Sequence, residues 1–176
     1  MKVMQTIYAF DVNLFMWVSE RKAQRLLVRC ARCISKSGDG HLYLLLGGIL
    51  AWLGQTSDQE WSLLGCLLLA FALERPIYLV LKNLFRRDRP PVTLRTPSYV
   101  IPSDRFSLPS GHTSAAFLVA TSLGHFYPAL TPLLLCWATL IGMARVILGV
   151  HFPTDTLIGA LMGTSLAITS MEMLFQ

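Results

Sequence analysis

Long apolar segments separated by short polar connections dominate the chain. Apolar runs occur at residues 41–54, 61–81, 111–127, 129–150 and 154–175. Runs of about 20 residues are long enough to cross the hydrocarbon core of a bilayer as helices. The pattern therefore predicts an all-α fold, a polytopic membrane helix bundle with five to six transmembrane helices, the sixth near the N-terminus.

The N-terminal segment, residues 1–36, has a different pattern. Stretches 3–18 and 22–35 mix apolar with polar and basic positions, which is typical of amphipathic helices that lie along a membrane interface. Glycines on both sides of Asp39 predict a break before the first apolar run. Asp39 itself either shapes that turn or approaches a pocket from the first span. The early apolar stretch is interrupted at Asp11 and no small-residue cleavage site follows it, so we expect no removable signal peptide.

Composition indicates one membrane-embedded domain over residues 1–176. Hydrophobic residues make up 53% of the chain and charged residues only 14%, against about 25% charged residues in a soluble domain. Thirteen of the fifteen Lys and Arg residues fall in segments 21–36 and 82–105 or at Arg145. Such a basic face suits anionic lipid head groups. We predict the bilayer and a membrane lipid as partners, and neither a nucleic acid nor a protein partner.

Neither a metal nor a cofactor is predicted. Cys30 and Cys33 have the spacing of a redox or metal-binding pair, but no second pair or nearby His completes a site. Cys66 and Cys136 lie in apolar stretches, where a thiol behaves as a small hydrophobe. No carboxylate cluster that would suit Mg²⁺ is visible in the sequence.

Three short polar clusters lie at the ends of apolar runs. They are Lys82 with Arg89-Pro90, then Pro109-Ser110-Gly111-His112, and then Arg145 with His151 and Asp155. Successive helices in a hairpin-connected bundle alternate in direction, so the four helix ends that carry these clusters share one face. Together the clusters supply three cations, two imidazoles, a carboxylate and a Gly-containing turn, a combination suited to neutralising and cleaving a phosphoryl group.

The local sequence favours an anion-binding site. Ser110 is suited to N-cap a helix that begins at Gly111, which leaves free backbone N–H groups and the positive end of the helix dipole facing an anion. Pro153 is typical of a first helical turn, and it places His151 just before a helix and Asp155 in its first turn. The carboxylate can then hold one imidazole nitrogen and leave the other free to attack.

These residues resemble the type 2 phosphatidic acid phosphatase superfamily of membrane enzymes. The three-part signature of that family is Lys-x6-Arg-Pro, Pro-Ser-Gly-His and Ser-Arg-x5-His-x3-Asp. It is matched here by Lys82 to Pro90, by Pro109 to His112, and by Arg145 to Asp155, so that the catalytic motifs span residues 82–155. Ala144 stands where the pattern has Ser, so one hydroxyl of the pattern is missing.

The resemblance implies a role for each matched residue. His151 would attack phosphorus to form a phosphohistidine, Asp155 would orient it, and His112 would protonate the leaving oxygen and then activate water. The remaining matched residues would bind the phosphate; they are Lys82, Arg89, Ser110, Gly111 and Arg145. No metal is implied.

Several other polar residues have simpler interpretations. We expect the loop arginines outside the signature to be topology signals or lipid contacts; they are Arg86, Arg87, Arg95 and Arg105. His41 and His125 are expected at the membrane interface. Glu74 and Arg75 are adjacent inside an apolar run, and we expect a structural ion pair or polar contact within the bundle there.

The resulting hypothesis is a metal-independent lipid phosphatase, similar to bacterial enzymes that act on undecaprenyl diphosphate or phosphatidylglycerol phosphate. Phosphatidic acid and lipid A phosphates are further candidate substrates. A non-catalytic protein that binds or translocates phospholipid head groups is the alternative from another class, and a haloperoxidase-like activity is a third.

Two arguments disagree about which side of the membrane the active-site face lies on. The positive-inside rule alone would place this face in the cytoplasm, whereas the resemblance implies an extracytoplasmic site. We predict a protein of the bacterial inner (plasma) membrane with its active site on the periplasmic or outer face.

Overall fold

Helices form at every predicted apolar run. A computed structural model of the chain describes residues 2–20, 25–102 and 104–175, and all regular structure within these ranges is helical. The α-helices of the described residues are α1 (Lys2–Glu20), α2 (Arg25–Lys36), α3 (Gly40–Leu53), α4 (Asp58–Phe85), α5 (Pro90–Leu94), α6 (Gly111–Phe126), α7 (Thr131–Ile147) and α8 (Pro153–Phe175), and a 3₁₀-helix, Pro128–Leu130, precedes α7. The prediction of an all-α fold is confirmed.

The bundle has the dimensions and the surface of a membrane protein. Three helical segments of the described chain are long and apolar enough to cross a bilayer, and they are Asp58–Leu94, Pro128–Ile147 and Pro153–Phe175. The other two predicted spans form shorter helices, with 14 residues in α3 and 16 in α6. Leucines on the outside of the bundle, such as Leu44 at 80% and Leu161 at 68% exposed, form the apolar outer surface that contact with lipid requires.

The two N-terminal stretches are also helical, as α1 and α2. The predictions for residues 21–24 lie outside the described residues. The break predicted at the glycines is present, because the chain turns at residues 37–39 before α3 begins. The helix α2 packs along α7. Val28 and Ala31 share an apolar cluster with Ala144 and Leu148, and Ile34 packs against a second cluster that contains Ile141.

The helix α6 lies at the centre of the bundle, in contact with α4, α7 and α8. Its nearest neighbour is α8, whose glycines face the α6 backbone. A Cβ atom at Gly163 would lie 2.0 Å from the Ser114 carbonyl oxygen, and one at Gly159 would lie 2.6 Å from the Ser110 carbonyl oxygen. Glycines four positions apart allow two membrane helices to approach backbone to backbone. This contact places the first turns of α6 and α8 side by side.

Substituting Gly163 by alanine should push α6 away from α8 and destabilise the bundle. The added methyl group would overlap a backbone carbonyl that cannot rotate away, so we expect a loss of about 1–3 kcal/mol in the free energy of unfolding, measured in mixed SDS–detergent micelles. Gly48→Ala is the matched control, because a Cβ atom at Gly48 in α3 meets nothing within 4 Å. Equal stability of the two variants would contradict the close contact.

Candidate active site

The three polar clusters meet at one end of the bundle. Arg89 Nη1 donates to the Val150 carbonyl oxygen at 2.6 Å and lies 3.4 Å from His151 Nε2, which joins the first cluster to the third. The backbone N–H of Ser110 donates to the Asp155 carbonyl oxygen at 3.0 Å, which joins the second cluster to the third. The ends of α4, α6, α7 and α8 therefore share one face, as the alternation of helix direction predicts.

His151 is buried in the loop that precedes α8. Its Nδ1 lies 3.7 Å from Asp155 Oδ2, which is longer than a hydrogen bond, and that oxygen accepts the backbone N–H of Phe152 at 2.7 Å. Burial lowers the pKa of the His151 imidazole to about 4, although Asp155 opposes the shift. The ring is therefore neutral near pH 7, and in the tautomer with its proton on Nδ1 the lone pair of Nε2 is free.

Lys82 and Arg89 share a carboxylate that the sequence did not single out. Asp104 Oδ1 lies 2.7 Å from Lys82 Nζ and accepts from Arg89 Nη2 at 2.6 Å, while the Tyr78 hydroxyl donates to Asp104 Oδ2 at 2.8 Å. Burial alone would raise the pKa of the Asp104 carboxyl, but the hydrogen bonds from Lys82, Tyr78 and Arg89 outweigh it and lower the pKa to about 2. Asp104 is therefore ionised and is the counter-ion of both cations.

The second cluster forms the start of α6. Ser110 occupies the N-cap position and the helix begins at Gly111, as predicted. The Ser110 side chain makes no capping hydrogen bond, so the prediction of a side-chain cap is wrong. The reason is local, since Ser110 Oγ instead pairs with Thr113 Oγ1 at 2.9 Å. His112 lies in the first helical turn, and its Nε2 is 3.0 Å from Asp39 Oδ1.

Arg145 enters the site from the last turn of α7. Its side chain is buried, and Nη1 donates to the Ser35 hydroxyl of α2 at 2.9 Å. Ala144, which replaces the Ser of the sequence pattern, is buried in a cluster with Val28 and Ala31 of α2. The helix α2 therefore closes this side of the site and supplies a hydroxyl group to Arg145.

A second polar network lies behind Asp155. Arg87 donates from Nη1 to Asp155 Oδ1 at 2.9 Å and from Nη2 to Asp11 Oδ2 at 2.5 Å, and both carboxylates are fully buried. Asp11 also accepts the backbone N–H of Thr154 at 2.9 Å. The prediction that Arg87 is a topology signal or lipid contact is wrong, because its charge is used to neutralise two buried carboxylates. In the sequence, the only indication of this network was the acidic residue Asp11 within the N-terminal apolar stretch.

A cavity of about 610 Å³ opens beside His112. Its polar end is lined by Gly111, His112, Arg75 and Tyr78, and apolar side chains of α3, α4 and α6 line the rest; they include Leu46, Leu64, Leu67, Phe71 and Val119. Arg75 forms the predicted ion pair, with its Nε 2.5 Å from Glu74 Oε2. A cavity that is polar near the histidine and apolar beyond it suits an amphiphile.

Metal-binding geometry is absent from the described part of the chain. No group of three or more His, Cys, Asp or Glu side chains there is arranged to hold a metal ion. Cys30 and Cys33 are free thiols on the exposed side of α2. Lys82, Arg89 and Arg145 each bring a positive charge to the site.

Comparisons with known proteins agree with this arrangement. The family model described as the PAP2 superfamily matches residues 59–176. The decaprenylphosphoryl-5-phosphoribose phosphatase of Mycolicibacterium smegmatis is 33% identical over 141 residues, which cover 73% of this chain and 69% of the relative. The crystal structure of Aquifex aeolicus LpxE matches with a TM-score of 0.79 and 30% identity, covering 92% of this chain and 94% of that one. A transmembrane PAP2 type phosphatidylglycerolphosphate phosphatase from Bacillus subtilis has a TM-score of 0.78 and 25% identity, covering 96% of this chain and 86% of that one.

Replacing Asp104 with asparagine should increase the affinity of the site for an oxyanion. The variant leaves Lys82 and Arg89 without their counter-ion, so orthovanadate no longer competes with a carboxylate for them. We expect binding about tenfold tighter, equivalent to about 1.4 kcal/mol, by isothermal titration of the detergent-purified protein. Asp88→Asn is the control, because Asp88 lies in the nearby connection between α4 and α5 and is only partly buried. Unchanged or weaker binding by the Asp104 variant would show that the carboxylate does not compete.

Proposed function

The chain belongs to the PAP2 superfamily, and on that premise we propose that it is a metal-independent phosphatase that removes a terminal phosphate from a membrane lipid. The proposal rests on the groups that surround the His151 imidazole. Its Nε2 lies 3.4 Å from the Arg89 guanidinium, and the Asp155 carboxylate lies on the Nδ1 side of the ring. This arrangement sets a neutral nucleophile beside a cation that can bind the phosphate under attack.

In the first step of the proposed reaction, His151 Nε2 attacks phosphorus. A P–N bond forms while the bond from phosphorus to the leaving oxygen breaks, and His112 gives a proton to that oxygen. Lys82, Arg89 and Arg145 neutralise the phosphoryl oxygens, and the Ser110 hydroxyl and the Gly111 backbone N–H bind the same group from the start of α6. The positive charge of the phosphorylated imidazole is stabilised by Asp155.

In the second step, water hydrolyses the phosphohistidine. The neutral His112 takes a proton from water as the water oxygen attacks phosphorus and the P–N bond breaks. Inorganic phosphate leaves, His151 is neutral again, and His112 is protonated for the next cycle. No redox partner or further reactant is needed.

The cavity beside His112 supports an amphiphilic substrate. The scissile phosphate would lie among the cations and the lipid chain would extend along the apolar walls between α3, α4 and α6. The solved relative from Bacillus subtilis is named for phosphatidylglycerolphosphate and the relative from Mycolicibacterium smegmatis for a decaprenyl phosphate sugar. We therefore propose undecaprenyl diphosphate, phosphatidylglycerol phosphate and phosphatidic acid as the substrates to compare.

The direct test is phosphate release by the detergent-purified protein from each of these three lipids, with EDTA present. We expect His151→Ala to lower the rate by about 1,000-fold or more, because the nucleophile is lost. His125→Ala is the matched control, since His125 is exposed at the opposite end of α6. Labelled phosphate should also become attached to the protein in a form that acid removes and alkali does not.

Two outcomes would contradict the proposal. Release that survives in the His151 variant would exclude this nucleophile. Binding of all three lipids by folded protein without any release would favour the non-catalytic head-group protein that the sequence left as an alternative.

We further propose that the active site faces the periplasm or the outside of the bacterial inner membrane. Several of the positive residues that would argue for a cytoplasmic face have other uses in the structure. Lys82 and Arg89 pair with Asp104, Arg87 pairs with Asp11 and Asp155, and Arg32 donates to the Tyr99 carbonyl oxygen at 3.0 Å. Their positions follow from the site, so they carry less information about topology.

Labelling of a single cysteine tests this orientation. In a variant with the four native cysteines replaced, Ser98→Cys on the exposed loop after α5 should react with a membrane-impermeant maleimide in intact cells. Thr56→Cys, exposed at the opposite end of the bundle between α3 and α4, should react only after lysis. The reverse labelling pattern would place the active site in the cytoplasm.

A further inference from the structure

Asp39 makes a direct side-chain contact with the proposed catalytic residue His112. It lies in the turn between α2 and α3, and its Oδ1 is 3.0 Å from His112 Nε2, across 73 positions of sequence. The two side chains are partly enclosed, at 35% exposed for Asp39 and 28% for His112. Asp39 also lies outside the residues that match the family model, which begin at 59.

Helix capping does not explain the position of this carboxylate. Asp39 is the N-cap residue of α3 with extended backbone dihedral angles, which is the usual setting for an aspartate that caps a helix. Its side chain nevertheless makes no capping hydrogen bond. The carboxylate is directed to the imidazole of another helix instead, so removing it takes away no helix cap.

The turn that carries Asp39 is held in place by α7. One helical turn earlier, Ser35 Oγ accepts a hydrogen bond from Arg145, and Trp137 Nε1 donates to Ser37 Oγ at 2.9 Å. Gly38 lies directly against α7, where an added Cβ atom would be 2.8 Å from Ile141 Cδ1. The position of Asp39 beside His112 is therefore built by several contacts and does not depend on one flexible side chain.

We propose that Asp39 is the positioning residue of His112: it holds the Nε2–H of the ring, directs Nδ1 to the reacting oxygens and stabilises the protonated ring. Asp39 Oδ1 lies 3.0 Å from Nε2 and places a negative charge against this imidazole. When Nδ1 gives its proton to the leaving oxygen, the ring becomes the neutral tautomer with hydrogen on Nε2, which is the form that Asp39 holds. Nδ1 is then the free acceptor that takes a proton from water.

This inference rests on the proposed function, and its test uses the chemistry of the leaving group. A lipid alkoxide is a poor leaving group and needs a proton from His112, whereas p-nitrophenolate leaves without one. The rate of the first turnover measures formation of the phosphoenzyme alone. The later hydrolysis step, which uses His112 for every substrate, does not affect that rate. The variants are Asp39→Asn, which keeps the size and removes the charge, and Asp39→Glu, which keeps the charge.

With phosphatidic acid, whose leaving group is an alkoxide, Asp39→Asn should slow the first turnover by about 100-fold at an unchanged KM. With p-nitrophenyl phosphate, the initial burst of p-nitrophenolate should change by less than about threefold, while the later steady rate falls. Asp39→Glu should recover part of the rate with the lipid. Asp58→Asn, an exposed aspartate at the start of α4 on the far end of the bundle, should match the parent protein with both substrates.

Other results would overturn the proposal. An equal loss of the first turnover with both substrates would mean that Asp39 only maintains the structure, and wild-type rates in Asp39→Asn would mean that His112 does not need it. Failure of the proposed function is a separate result. It would appear as phosphate release that persists in His151→Ala when Asp39 is unchanged.

Discussion

The backbone contact between α6 and α8 is the constraint on which the site depends. Helices in a bilayer gain little from excluding lipid, so close association relies on small residues that let backbones meet. Gly159 and Gly163 provide such a surface, and no larger side chain fits between α8 and the carbonyl groups of Ser110 and Ser114. The result is that the start of α6 lies against the start of α8, where the Ser110 N–H reaches the Asp155 carbonyl oxygen.

Pairing of buried charges is the second condition. Breaking a buried ion pair by removing one partner costs about 3–5 kcal/mol, and the polar end of this bundle contains several such charges. Arg87 lies between Asp11 and Asp155, and Asp104 lies between Lys82 and Arg89. These pairs connect α1, α4, α8 and the loop after α5, so the same contacts that hold these segments together also position the groups of the candidate site.

The sequence was sufficient to predict the helices and the meeting of the three clusters. Length and hydrophobicity determine a membrane helix, and alternation of direction determines which helix ends share a face. The contacts of Tyr78, Asp104 and Ser35 could not be predicted in the same way, because they depend on the path of a loop and on how α2 lies along α7. The bond between Ser35 and Arg145, for example, joins residues 110 positions apart. The side-chain cap at Ser110 failed for a more local reason, since the Thr113 hydroxyl competes for the same oxygen.

Asp104 also bears on the release of phosphate at the end of the proposed reaction. Three cations in a poorly solvated site would hold the released phosphate ion tightly, and slow product dissociation limits many enzymes. A carboxylate bonded to Lys82 and Arg89 changes this balance, since these two of the three cations have a partner once the phosphate departs. The bonds that Asp104 makes to these two cations therefore offset part of the free energy needed to release the product.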